Sequence, residues 1–520
     1  MSIQPKFQVA TLAITAALLC AACGAEPAAS TAQDAATTTD GGAGAIDGGS
    51  TAADAGVDVG ATPDTAVAAV AKPFPPLVTT SVLVDKNPAA NIVEVDLTAK
   101  VVDRKLHPDV PELAMYLYNG EFPGPTLRAR VGDTVIVHFK NELPEKTTVH
   151  WHGLRISDDM DGSPRIQKPV EPGGTFTYTF VVPDAGTFWY HPHVRTNVQV
   201  EKGLYGAIVV QEAENIGYTR ERMLVVDDIY LTKDGFGAFE PWSHMVTMHG
   251  RSGNVLLLNG EPTPVAPVQA KKGDVERWRI VNTANARTMK IDIIGPAFVR
   301  VIGTDGGLIA APYDIDNTRI DVPVGTRYDI EVAYYDAGKV QLRQHIPVAA
   351  AGGGVRYKAT VMQSVTVADD PAVTDLASPA LPTPVAIGVR PVDRTVEMTF
   401  QAVEDPASPA GVTWQINGSG MWDKPIFSFT EGETVIIDIE NKAGPEHPFH
   451  LHGQFFEILR VNGVDPKLPG LKDTALVPGM GSVKLKAYLD NPGMWMAHCH
   501  ILEHAELGMM SEFYVAPKGK

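Results

Sequence analysis

Ten of the fifteen histidines in this 520-residue chain fall in four short motifs. His150 and His152 stand in HWHG, and His191 and His193 in HPH. His447, His450 and His452 stand in HPFHLHG, and His498, His500 and His504 in HCHILEHAELGMM, where Cys499 and Met509 join them. In an extended chain alternate residues point to one side, about 7 Å apart, so each H-x-H pair offers two imidazoles in one direction. Four pairs are too many for one first-row metal and suit a cluster of two or three ions. Imidazole alone is compatible with copper, zinc, iron or nickel. Cys499 narrows the choice. Alternation turns its sulfur away from His498 and His500, to a side where it can meet His447 and His504. Two histidines, one cysteine and a weak axial methionine, Met509, make the blue-copper electron-transfer set. The last motif therefore reads as a short electron path from one copper to several.

Such a site needs rigid strands, and an internal repeat supplies them. GDTVIVHFKN (132–141), GDVERWRIVN (273–282) and GETVIIDIEN (432–441) share an opening Gly and acid, β-type residues and a closing Asn. Other strand-like runs recur between Gly- and Pro-rich turns, and long helical periodicity is scarce. The pattern predicts three β-sandwiches of Greek-key type, near 73–215, 220–368 and 388–520, with a Pro- and Ala-rich linker at 369–387. The repeat also aligns the chemistry. Nine residues beyond Asn141 stands His150, and nine beyond Asn441 stands His450, whereas Asn282 leads to Ile291. The first and third copies thus carry matching pairs and the middle copy none. Thr147, Pro192, Asn197 and Lys202 occupy the places of His447, Cys499, His504 and Met509 in the first copy, so only the third holds the mononuclear set.

Residues 1–22 read as a secretory leader, with the apolar run VATLAITAALLC at 9–20. Cys23 after Ala21-Ala22 is a candidate lipidation site, and cleavage to a soluble form is the alternative. Residues 23–72 are rich in Ala, Thr, Asp and Gly and predict a disordered tether. The expected location is outside the cytoplasm, as a periplasmic or outer-surface lipoprotein, otherwise secreted. A formal net charge of −18 with no basic run argues against nucleic acid and anionic membrane surfaces as partners. Of three cysteines two lie in the leader region, so Cys499 is a free thiol or a buried apolar group.

The four histidine motifs, with FPGPTLRARVGD (122–133) and VPDAGTFWYHPH (182–193), resemble the signatures of the three-domain multicopper oxidases, laccase-like and bacterial. The resemblance implies three cupredoxin-like domains and four coppers. A type 1 copper would lie on His447, Cys499, His504 and Met509, and a type 2 copper on His150 and His450. A type 3 pair would use His152, His191 and His500 on one ion and His193, His452 and His498 on the other. The implied reaction is four one-electron oxidations at the type 1 copper, coupled to reduction of dioxygen to two waters. Asp161 (in DDMDGSP) and Glu506 match acids that deliver protons in the family, although Ala505 stands where other bacterial members have one. The reductant would be a phenol or aromatic amine meeting the His504 edge directly. The alternatives are Cu(I), Fe(II) or Mn(II), or a non-catalytic copper-binding role. His244, Met245, Met248 and His249 in HMVTMH could hold Cu(I) or could simply pack. A monomer is expected.

Overall fold

The computed structural model describes residues 76–519, except 79, 350–353, 385–387, 389 and 420–424. The leader, the tether and Cys23 lie outside the described residues.

Over the described residues the fold is nearly all-β, with its main sheets paired into three sandwiches. In the first, one sheet runs Leu113–Tyr118, Ile92–Arg104, Thr134–Glu142, Thr175–Val181, and the other Gly124–Arg130, Gly206–Gln211, Gly186–His191, His150–His152. Ile92–Arg104 pairs parallel with Thr134–Glu142, which a hairpin cannot achieve, so the chain crosses between sheets in the Greek-key manner. Alternation sets the core: Val95, Leu97 and Ala99 are fully buried, with Asp96 outside. The third sandwich repeats the plan with Arg394–Glu404 parallel to Thr434–Asn441. The middle one centres on Val275–Asn282, between Arg220–Ile229 and Arg327–Tyr334. Leu77–Val78 pairs with Glu221 and Arg222 of this middle sheet, so the first described strand belongs there.

The closing Asn of each repeat has one job in all three sandwiches. Asn141 donates to the carbonyls of Glu145 and Val170 and accepts from the Leu143 N–H. Asn441 does the same with Pro445, Pro478 and Ala443, and Asn282 with Arg287, Val322 and Ala284. Each side chain, at most 2% exposed, stands in for backbone partners that a buried loop would otherwise lack. In the first and third sandwiches that loop leads directly into the histidine strand. Three short helices matter to the site: α1 (Thr196–Glu201), α2 (His244–His249) and α3 (Leu502–Glu506).

Candidate metal centres

Strand pairing places the histidines. His150–His152 runs antiparallel to Gly186–His191, with His150 opposite His191. His447–Leu451 runs antiparallel to Gly493–Cys499, with His450 opposite His498. The two ribbons face each other, and their imidazoles interleave across the first and third sandwiches. His152 stacks on His450 at 3.8 Å and 11°, and His150 on His452 at 4.0 Å and 28°. Three donor triads lie within 4.8 Å: His150, His152 and His191; His150, His450 and His452; His193, His452 and His498. His500 joins through Nε2, 3.3 Å from His152 Nδ1. All eight side chains are buried.

The donor set fits metal ions. His150, His191 and His450 each turn Nδ1 outward to a carbonyl, of Asp161, Pro192 and Asp473, at 2.8–3.0 Å. Their Nε2 atoms face inward with no hydrogen-bond partner among the described residues. An outward N–H fixes the tautomer and leaves a lone pair aimed at the centre. Burial, and then neighbouring imidazoles, hold His152, His193, His452 and His500 well below the usual histidine range, and His498 at about 3. These rings are neutral near pH 7, the form that binds metal.

On the far side of the same strand, Cys499 Sγ lies 3.4 Å from His447 Nδ1 and 3.7 Å from His504 Nδ1, and the two nitrogens are 3.1 Å apart. Burial pushes the thiol up and holds His447 at about 3. These three donor atoms converge closely enough to hold one cation, and a bound cation would also create the thiolate. Met509 is fully buried in the same core, its carbonyl accepting from the Cys499 N–H at 3.1 Å.

Models of the multicopper oxidase family match residues 101–215, 218–341 and 390–519. Multicopper oxidase MmcO of Mycobacterium tuberculosis is 30% identical over 450 residues, spanning 77% of this chain and 82% of its own. The chain belongs to the multicopper oxidase family. Laccase-1 of Botryotinia fuckeliana is also 30% identical, over 469 residues, spanning 76% of this chain and 77% of its own. The solved structure of a multicopper oxidase from Campylobacter jejuni, described as a metallo-oxidase, superposes with a TM-score of 0.73 at 26% identity, covering 85% of this chain and 96% of that one. This multicopper oxidase is thus a copper-dependent oxidoreductase with dioxygen as acceptor, and its sandwiches are cupredoxin-like.

Around the oxidase's histidines the two acids singled out in the sequence part company. Asp161 is buried, with Oδ2 2.8 Å from His452 Nδ1 and Oδ1 3.1 Å from His150 Nδ1, so one carboxylate from the first sandwich meets histidines of both the first and the third. Glu506 is exposed at the end of α3, near Arg195. Burial in α3 falls instead on Glu503, which accepts from the Arg251 N–H and the Asn285 amide of the middle sandwich.

Asp473 escaped the sequence reading. Its Oδ1 lies 3.3 Å from His152 Nε2. Burial works against its charge, but Arg327 and His152 override this and hold the carboxyl well below the usual range. An Asp in KDTALV carries no signal of that role. His504 is fully buried beneath Trp414, whose ring lies 4.3 Å away and whose Nε1 donates to the Thr247 carbonyl of α2. The expected direct meeting of reductant and His504 edge is therefore not available in this structure. Nor do the four HMVTMH side chains converge: Met245 and His249 face a surface cavity, while Met248 packs toward the Trp414 core.

Proposed function

We propose that this enzyme is a laccase-type oxidase of phenols or aromatic amines, with the type 1, type 2 and type 3 assignments read from its motifs. Copper held by these residues would supply one-electron acceptance beside Cys499 and four-electron reduction of dioxygen to two waters at the cluster. The observation that carries the reading is the strand Gly493–Cys499 and its continuation. Cys499 belongs to the mononuclear set, and its covalent neighbours His498 and His500 belong to the eight-histidine set. With copper on both sets, Cys499 and the backbone on either side of it would offer a continuous covalent path from one to the other. Asp161 holds His452 through its carboxylate and His150 through its carbonyl, which supports a role in passing protons toward the cluster.

The reductant's class is read from the surface of α2. A cavity of about 520 Å³ beside this helix is lined by Tyr230, Phe239, Met245, Val246, His249 and Arg251, among others. Its walls are largely aromatic and aliphatic, and none of the described lining residues is a carboxylate. Hard ions such as Mn(II) prefer oxygen donors, and non-haem Fe(II) sites commonly include a carboxylate, so the lining favours a flat organic ring. The other face of α2 rests on Trp414, which lies against His504, about one helix diameter (~10 Å) from the cavity. Met245 and His249, one helical turn apart, favour Cu(I) as the second reading, since thioether and imidazole suit that ion. The leader motif supports export, with lipid on Cys23 as one form, and the reading takes the protein as a monomer.

Oxygen uptake by the copper-loaded enzyme tests this, with 2,6-dimethoxyphenol and Cu(I) offered separately. Faster turnover of the phenol is expected. Faster turnover of Cu(I) that collapses in Met245→Leu would replace the laccase reading with the metallo-oxidase one.

A further inference from the structure

The middle sandwich carries none of the four histidine motifs, yet one of its side chains grips a carboxylate that contacts the clustered histidines. Arg327 opens the strand Arg327–Tyr334 and is fully buried. Its Nε donates to the Thr187 carbonyl of the first sandwich at 3.0 Å. Nη1 donates to the Gly325 carbonyl and to Asp473 Oδ1, at 3.0 and 2.7 Å. Nη2 donates to the Asp305 carbonyl and to Asp473 Oδ2, at 2.9 and 2.5 Å. All five guanidinium N–H groups are thereby used, and the side chain touches all three sandwiches.

The carboxylate it grips is the one that addresses the histidines. Asp473 Oδ1 faces His152 Nε2 at 3.3 Å, and the Asp473 carbonyl accepts from His450 Nδ1 at 2.9 Å. These contacts call for a proton on Nε2 of His152 and on Nδ1 of His450. They leave Nδ1 of the first ring and Nε2 of the second as the lone pairs turned to the cluster. Thr474 Oγ1 donates to the same Oδ1 at 2.9 Å and completes its shell.

We propose that Arg327 is a positioning residue for the trinuclear cluster: by clamping Asp473 in a bidentate fork, it sets the tautomer and orientation of His152 and His450. The inference rests on the eight histidines forming a copper cluster. A lysine has three donors and no planar fork, so it can keep the charge but cannot hold the Asp473 carboxylate and three carbonyls together. The mononuclear set of His447, Cys499 and His504 makes no contact with this network and reports independently on the fold.

The test uses the full copper-loaded enzyme and the variants Arg327→Lys, Arg327→Gln and Asp473→Asn. Measured are copper per chain, the blue thiolate–copper absorption, the paramagnetic signal of the type 2 copper, and kcat and KM for the reductant. The expected result is an unchanged blue band with an altered type 2 signal in all three. Cluster copper affinity or kcat should fall about 10- to 100-fold, the usual range for a ligand's hydrogen-bond partner, with KM for the reductant unmoved. Arg327→Lys should retain more cluster copper than Arg327→Gln. Type 2 signals identical to the parent's in the three variants would overturn the proposal. So would parallel loss of blue band and cluster in all three, which marks a merely structural role. A parent enzyme that binds type 1 copper but no cluster copper would instead remove the functional reading beneath it.

Discussion

Replacing Asp161 by Asn keeps the shape of the side chain and removes its charge. The His452 Nδ1–H bond, 2.8 Å long, then changes from charge-assisted to neutral. Bonds to charged groups contribute roughly 1.5–3 kcal/mol and neutral ones roughly 0.5–1.5, so about 1.2 kcal/mol is lost. At 1.36 kcal/mol per decade that is close to an eightfold loss of affinity or rate. Asp161→Ala also removes the acceptor and leaves a buried imidazole N–H unmet, which brings the total to about 3 kcal/mol, or roughly a hundredfold. The assay is oxygen uptake at saturating reductant, together with cluster copper content after dialysis against a weak chelator. The blue absorption serves as internal control, because Asp161 contacts neither Cys499 nor its two histidines. A proton-delivery role adds a solvent deuterium isotope effect that grows in Asp161→Asn. Oxygen uptake within twofold of the parent in both variants would refute the reasoning, since it would mean that the carboxylate neither holds His452 nor feeds the cluster.

Cys499→Ser should abolish the blue absorption and oxidase activity while leaving cluster copper bound; a blue, active variant would sink the mononuclear assignment. Gly325 has φ +81° and lies against the cluster, where a Cβ would meet His500 Cδ2 at 2.9 Å and His152 Cε1 at 3.1 Å. Gly325→Ala should therefore lower cluster copper more than it affects the blue centre, read by metal analysis against absorbance. The copper-free enzyme should lose stability as pH falls. His447 and His498 have folded values of about 3 against 6.5 in the unfolded chain. Below about 6.5 the unfolded state takes up protons that the native state refuses, and each group weakens folding by ~1.4 kcal/mol per pH unit down to about 3. Thermal melts from pH 7 to 4 check this, and a flat profile for the copper-free form would contradict the burial argument.

The gathering of the histidines and Cys499 into two sets was legible because strand alternation is local. H-x-H in an extended segment puts two rings on one side whatever the rest of the chain does, and a repeat with matched spacing shows that two such segments meet. Glu506 shows where that logic stops. After Cys499 the backbone turns into α3, and two residues along a helix are about 200° apart. Glu506 therefore points away from the direction His504 takes, whereas strand periodicity would have put both on one side. Asp473, Arg327 and Gly325 were invisible for another reason. Arg327 is 146 positions from the Asp473 it grips, and nothing in GTRYD or KDTALV marks the meeting. The occluding role of α2 was equally silent, because a six-residue helix earns its place by what lies beneath it. Asn141, Asn282 and Asn441 mark the repeat in sequence, but their shared task of satisfying a buried loop depends on carbonyls up to forty positions away.

The interleaved stack of His152 on His450 and His150 on His452 bears on how the enzyme comes into being. Those rings belong to segments separated by some three hundred residues of chain. No fragment ending before the final thirty residues contains the full donor set, since His498 and His500 arrive only there. Copper binding that needs all eight histidines would therefore have to await the closing of the seam between the first and third sandwiches. Ions held there would join the two sandwiches across that seam, and the rate of their loss would report how often it opens.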